Sequence, residues 1–174
     1  MKKLIVVTHP NLEESKVNNS WINELKKHPD DFVIHSLYDN YPNLDFNIVE
    51  EQNLLLAHDE IIFQFPFHWF STPFALKKYV DEVLTYGWAF GPDGDKLKDK
   101  KIHFAVSTGG KEESYNSTSA ISVPDLLNDF KLTFQYCGCI VDKLHVFYSA
   151  MFDPSEQSIQ ENTREYINTF KQNL

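Results

Sequence analysis

The chain reads as an α/β domain built on a doubly wound, five-stranded parallel sheet, and three observations predict it. Short apolar runs of strand length alternate with longer stretches of helical spacing, as in successive βα units. The first run, Leu4 to Thr8, is apolar without a break, as a strand covered on both faces must be. The length of 174 residues suits one domain around one sheet, spanning residues 1–174.

The elements follow in order. After the first strand, Ser15 can cap a helix with Val17, Trp21, Ile22 and Leu25 on one side, ending near His28-Pro29. Phe32 to Leu37 is the second strand, and Ile48 to His58 a helix. Ile61 to Phe65 is the third strand, stopped by Pro66. Pro73 stands where a first-turn proline is favoured, and Phe74, Leu76, Tyr79, Val80, Val83 and Leu84 follow at helical spacing. Ile102 to Thr108 is the fourth strand and Val123 to Cys137 the next helix, with Gly138 as its C-cap. Cys139 to Tyr148 holds the fifth strand, and a last helix runs from near Pro154 towards Phe170.

Composition excludes several functions. With 16 basic and 25 acidic residues the net charge is −9, which argues against nucleic acid as a partner. No apolar run reaches 18 residues, so no membrane helix is expected, and the short apolar start reads as a strand, not a secretion signal. The expected compartment is the cytoplasm, where Cys137 and Cys139 stay reduced as buried thiols. The histidines lack metal-ligand spacing, so no metal is expected. The six glycines, at 87, 91, 94, 109, 110 and 138, allow neither a dinucleotide fingerprint nor a Walker A loop.

Right-handed crossovers make a strand order of 2-1-3-4-5 the economical arrangement, with ligands outside the carboxyl ends of the strands. The loops after strands one, three and four are therefore the informative ones. The first offers His9, Ser15, Lys16, Val17 and Asn18 around a helix N-terminus, a set of donors for an anion such as a monophosphate. Ser15 as a plain cap and His9 as a turn residue is the other reading. The second, Pro66-Phe67-His68-Trp69-Phe70-Ser71-Thr72-Pro73, carries three aromatics in a loop. That content suits a flat heteroaromatic, a fold-back into the core, or a contact with a second copy. The third, Thr108-Gly109-Gly110-Lys111, permits close ligand approach and is followed by Tyr115 with its phenol.

These segments, together with His9-Pro10, Gln64 to Pro73, Gly87-Trp88-Ala89-Phe90-Gly91 and Leu37-Tyr38-Asp39-Asn40-Tyr41-Pro42, carry a resemblance. Over nearly its whole length the chain resembles the flavodoxin-like NAD(P)H:quinone oxidoreductase family. It is most similar to the short bacterial branch, which includes ancillary oxidoreductase subunits of glutathione-gated potassium efflux systems and general stress oxidoreductases. The resemblance implies a flavodoxin-like fold and FMN rather than FAD, with NADPH or NADH as reductant and a quinone or other planar acceptor as oxidant. It implies ping-pong hydride transfer in a homodimer with sites at the interface, Gly87 to Gly91 lining the partner's pocket.

By motif match, His9 and Ser15 through Asn18 would hold the phosphate and ribityl end. Pro66, Phe67, His68, Trp69 and Phe70 would carry the isoalloxazine edge, and Thr108, Gly109, Gly110 and Lys111 its pyrimidine side. Tyr115 matches a proton-donating tyrosine of the family. Larger members place a histidine six residues later, where this chain has Ile121, which leaves His68 as the second candidate donor. Two other uses are compatible with the resemblance: a regulatory subunit on a membrane potassium-efflux protein, and a one-electron carrier.

Overall fold

A computed structural model describes residues 2–116 and 121–171 of the chain. Five strands, β1 (Lys3–Val7), β2 (Phe32–Ser36), β3 (Glu60–Pro66), β4 (Lys101–Ser107) and β5 (Ile140–Phe147), form one sheet in the order β2-β1-β3-β4-β5. Every pairing is parallel, from Lys3 opposite Phe32 at one edge to Ser107 opposite Phe147 at the other. The unbroken apolar runs are explained by two cores, one on each face. Ile5, Val7, Ile62 and Ala105 face α1 (Lys16–Leu25) and α8 (Glu156–Lys171), where Trp21, Tyr166 and Phe170 are fully buried. Leu4, Phe63, Phe65 and Phe104 face α3 (Ile48–Leu56), α4 (Phe74–Val83) and α7 (Asn128–Tyr136).

Local chemistry sets the ends. Asn47 caps α3 by accepting from the Glu50 amide, and Ser155 caps α8 by accepting from the Ser158 amide. After α7, Gly138 takes a left-handed turn at φ +80°. Its amide bonds Gln135 and that of Cys139 bonds Phe134, closing a Schellman turn.

Four details differ from the sequence expectation. Pro73 is the N-cap of α4, one residue ahead of its first turn. The expected helix Val123–Cys137 is two helices, α6 (Val123–Leu126) and α7. Ser122 and Asp125 form a complete capping box on α6, and buried Leu127 breaks the run at φ −94°, ψ 1°. Short helices α2 (Leu37–Asn40) and α5 (Glu113–Asn116) lie in segments that sequence periodicity left as loops, because four residues are too few to show a helical period. Among the described residues no helix is long and apolar enough to cross a membrane.

Candidate functional site

The strand order reverses between β1 and β3, and a cleft of about 570 Å³ opens at their carboxyl ends. Four loops line it: His9 to Asn18 after β1, Pro66 to His68 after β3, Ser107 to Gly109 at the end of β4, and Ala150 to Pro154 after β5.

One end of the cleft is a collection of donors. Ser15 is the N-cap of α1, and its Oγ accepts from the Asn18 amide at 3.1 Å and from Asn18 Nδ2 at 3.3 Å. With both acceptor positions used, the hydroxyl has only its O–H left to offer. Lys16 and Val17 occupy the first two helical positions, where backbone N–H groups have no intrahelical acceptor and the helix dipole is positive. His9 adds a neutral donor. Burial and the neighbouring His68 push its imidazole down to about 4, and the Asn11 amide donates to its Nδ1 at 3.1 Å, which leaves the proton on Nε2.

Beneath this end runs a buried chain of hydrogen bonds. Asn18 Nδ2 donates to Ser107 Oγ at 2.9 Å. Gln64 Nε2 donates to the carbonyl and the side-chain oxygen of Asn18, at 3.3 and 3.4 Å. Tyr166 in turn donates to Gln64 Oε1 at 2.9 Å. Gln64, Tyr166 and Asn18 are all essentially inaccessible to water. A polar group buried without a partner costs about 1–3 kcal/mol, so this chain fixes the Asn18 side chain and through it Ser15.

The opposite end is built on a tight hairpin. His68 and Ser71 exchange backbone hydrogen bonds at 2.9 and 3.1 Å. Trp69 (φ +49°) and Phe70 (φ +63°) take the two central positions, both in the left-handed region. Hairpins of this shape normally carry Asn-Gly there, because bulky residues pay about 1–2 kcal/mol each for that backbone. The result is display: Trp69 is 94% exposed and Phe70 59%, and Phe74 at the start of α4 is exposed as well.

The remaining two loops are tied together. The Ala150 amide donates to the Thr108 carbonyl at 2.9 Å, and the Ser149 amide to that of Gly110 at 2.7 Å. A Cβ on Gly109 would lie 2.6 Å from Met151 Sδ, so the exposed Met151 side chain packs over the glycine and would have to swing aside for any larger residue. Gly110 sits against the Tyr115 ring, whose hydroxyl is 3.2 Å from where a Cβ would stand. Lys111 lies over the Phe152 ring at 5.6 Å.

Of the residues singled out from sequence, His9, Ser15, Lys16, Val17, Asn18, Pro66, Phe67, His68, Thr108 and Gly109 line the cleft together. Trp69, Phe70, Gly110, Lys111 and Tyr115 are not part of the lining: Trp69, Phe70 and Lys111 are exposed, and Tyr115 is nearly buried against Tyr148. Sequence reasoning did not find Gln64 and Tyr166, nor the loop after β5 with Met151 and Asp153. A glutamine inside an apolar strand was a signal for the first. An apolar Met151-Phe152 pair in a loop was a signal for the second. Cys137 and Cys139 are buried, and burial pushes the Cys139 thiol up to about 12. Among the described residues no group of side chains could hold a metal ion.

Comparison with known proteins gives three kinds of match. A family model described as flavodoxin-like fold (Flavodoxin_2) matches residues 1–170. YrkL, an uncharacterized NAD(P)H oxidoreductase of Bacillus subtilis (strain 168), is 44% identical over 140 residues, 79% of this chain and 80% of that protein. KefF, an ancillary protein of the glutathione-regulated potassium-efflux system of Enterobacter sp. (strain 638), is 36% identical over 135 residues, 78% of this chain and 76% of KefF. Among solved structures, general stress protein 14 of Treponema denticola in complex with FMN is 36% identical. It superposes with a TM-score of 0.91 over 97% of each chain.

Proposed function

The chain belongs to the flavodoxin-like family and is an oxidoreductase, and on that premise we propose that its cleft holds FMN and passes hydride from NADPH or NADH to a quinone or other planar acceptor. One observation carries the reading: a single cleft joins a neutral donor cluster at a helix N-terminus to an apolar, aromatic end. The FMN complex of the T. denticola protein supports the cofactor, and the NAD(P)H oxidoreductase relative supports the reductant.

The residues fit FMN in chemistry as well as in place. Ser15 O–H, the N–H groups of Lys16 and Val17, and His9 Nε2–H suit the phosphate and the ribityl chain. Pro66, Phe67 and His68 suit one edge of a flat ring system, and Thr108 to Lys111 the other. The carboxylates of Glu14 and Asp153 line the same cleft, and Glu156 faces Lys16. A second phosphate would meet repulsion there, which favours FMN over FAD. When bound, FMN supplies hydride acceptance and hydride release in two successive half-reactions. The chain holds its phosphate, fixes the ring against the β3 loop, and offers His68 from the lining as a proton donor, with Tyr115 standing behind Gly110 as the second candidate.

The exposed hairpin supports a second element of the proposal, a homodimer. Trp69 and Phe70 are held in a costly backbone that puts aromatic surface into solvent, and Phe74, four residues on, is exposed too. A second copy would bury this surface and wall the cleft. The KefF relative favours one other occupant, a membrane potassium-efflux protein, which co-purification from membranes would identify.

The test is the visible spectrum of the purified protein, followed by anaerobic NADPH and then NADH. The expected result is the two bands of oxidised flavin, bleached at once by one of the nucleotides and restored by a quinone. A colourless protein that takes up no added FMN overturns the proposal.

A further inference from the structure

Lys16 begins α1, so its stem leaves the chain at the anion-binding end of the cleft. Its Nζ contacts Asp153 Oδ1 at 2.5 Å, and both side chains are well exposed, 64% and 85%. An exposed pair of this kind adds little to stability, so it is not a staple of the fold. Yet the chain spends backbone strain on it. Asp153 is left-handed at φ +46° directly before Pro154, a position where that conformation is disfavoured. Ser149, at the start of the same turn, is left-handed too, at φ +64°. The turn is anchored to the β4 loop through the Ser149 and Ala150 amides, so the carboxylate is held over the cleft. Its hydrogen bond and charge pairing with Lys16 lower the Asp153 carboxyl and raise the Lys16 ammonium, which keeps both charged at neutral pH. A strained turn thus aims a negative charge at the one lysine that lines the cleft, at the end where the helix N-terminus offers its amides.

We infer that Asp153 is a specificity-determining residue: it competes with the flavin phosphate for Lys16 and so sets how strongly the chain prefers FMN over unphosphorylated riboflavin. The inference rests on the FMN reading and extends it to a residue 137 positions away from its partner. Riboflavin presents the same ring and ribityl chain with no anion for Lys16, so Asp153 affects the two flavins unequally.

Asp153→Asn removes the charge and keeps the shape, and asparagine tolerates the left-handed backbone well, so the variant folds. Titration of apo-protein with each flavin at low salt is expected to show FMN binding tightened by about threefold to fivefold in D153N, the reach of one exposed ion pair. Riboflavin binding should stay within about twofold on the same grounds. In a Lys16→Gln background the D153N gain on FMN should vanish, because nothing is left to compete for. An equal gain in both backgrounds would mean that Asp153 acts only as a distant charge, and the inference falls. An unchanged ratio of FMN to riboflavin affinity overturns it as well, while the FMN reading stands. If the wild-type chain binds neither flavin, the FMN reading fails and takes this inference with it.

Discussion

The two ends of the cleft are held in opposite ways. At the α1 end a buried chain of side chains fixes the helix cap from beneath: Ser15 by Asn18, Asn18 by Gln64, and Gln64 by Tyr166 on the last helix. At the β3-loop end Trp69 and Phe70 rest on two backbone hydrogen bonds and stand in solvent. The first end is preorganised, its cost met by the interior of the fold. The second holds its aromatic surface in solvent on a backbone that local preference opposes. The difference teaches where each end gets its precision: from side chains paired in the core at one, from the backbone of a tight turn at the other.

The largest expected effect breaks the buried end. Gln64→Leu leaves the Tyr166 hydroxyl and Asn18 Oδ1 without the Gln64 amide, at about 2–4 kcal/mol in all. Chemical denaturation measures it, and a loss below about 1 kcal/mol would mean that the chain of hydrogen bonds is not what fixes Asn18. The same variant should bind FMN more weakly even where it is fully folded.

Next comes the hairpin. Trp69→Gly should leave the stability of the single chain within about 1 kcal/mol, since the side chain touches little and glycine accepts the backbone. Self-association should weaken by about tenfold or more, as loss of a central aromatic anchor does. Sedimentation at several concentrations decides between these, and an unchanged dimer constant would remove the hairpin from the interface.

The smallest effect sharpens the α1 end. His9 titrates near 4 in the folded chain against about 6.5 when unfolded, so between these values the unfolded chain binds the extra proton. Its contribution to stability is therefore complete above about pH 6.5 and is lost as pH falls towards 4. In His9→Gln the slope of stability against pH over that window should drop by as much as one proton. Equal slopes in the two proteins would show that His9 is solvated rather than buried.

Much of this was legible in the sequence because its cause is local. Unbroken apolar runs such as Leu4 to Val7 and Ile61 to Phe65 mark strands covered on both faces, and their alternation with helical spacing leaves little choice beyond the parallel order found. Ser15 could be read as a cap three residues ahead of the amide it accepts from. The three loops at the carboxyl ends followed from the topology alone, and they do meet in one cleft.

What only the tertiary structure decided lies in contacts between distant residues. Nothing in the sequence pairs Gln64 with Tyr166, 102 positions away, or Lys16 with Asp153. Nor does it bring the loop after β5 onto Gly109, a closure set by how two strand ends hydrogen-bond. The left-handed Trp69-Phe70 turn was hidden for a related reason. Local preference opposes it, and it persists because the paired ends of β3 and β4 and the start of α4 dictate where the chain must reverse. Periodicity reports which face a residue buries. Which partner it meets there is fixed by the packing of the whole chain.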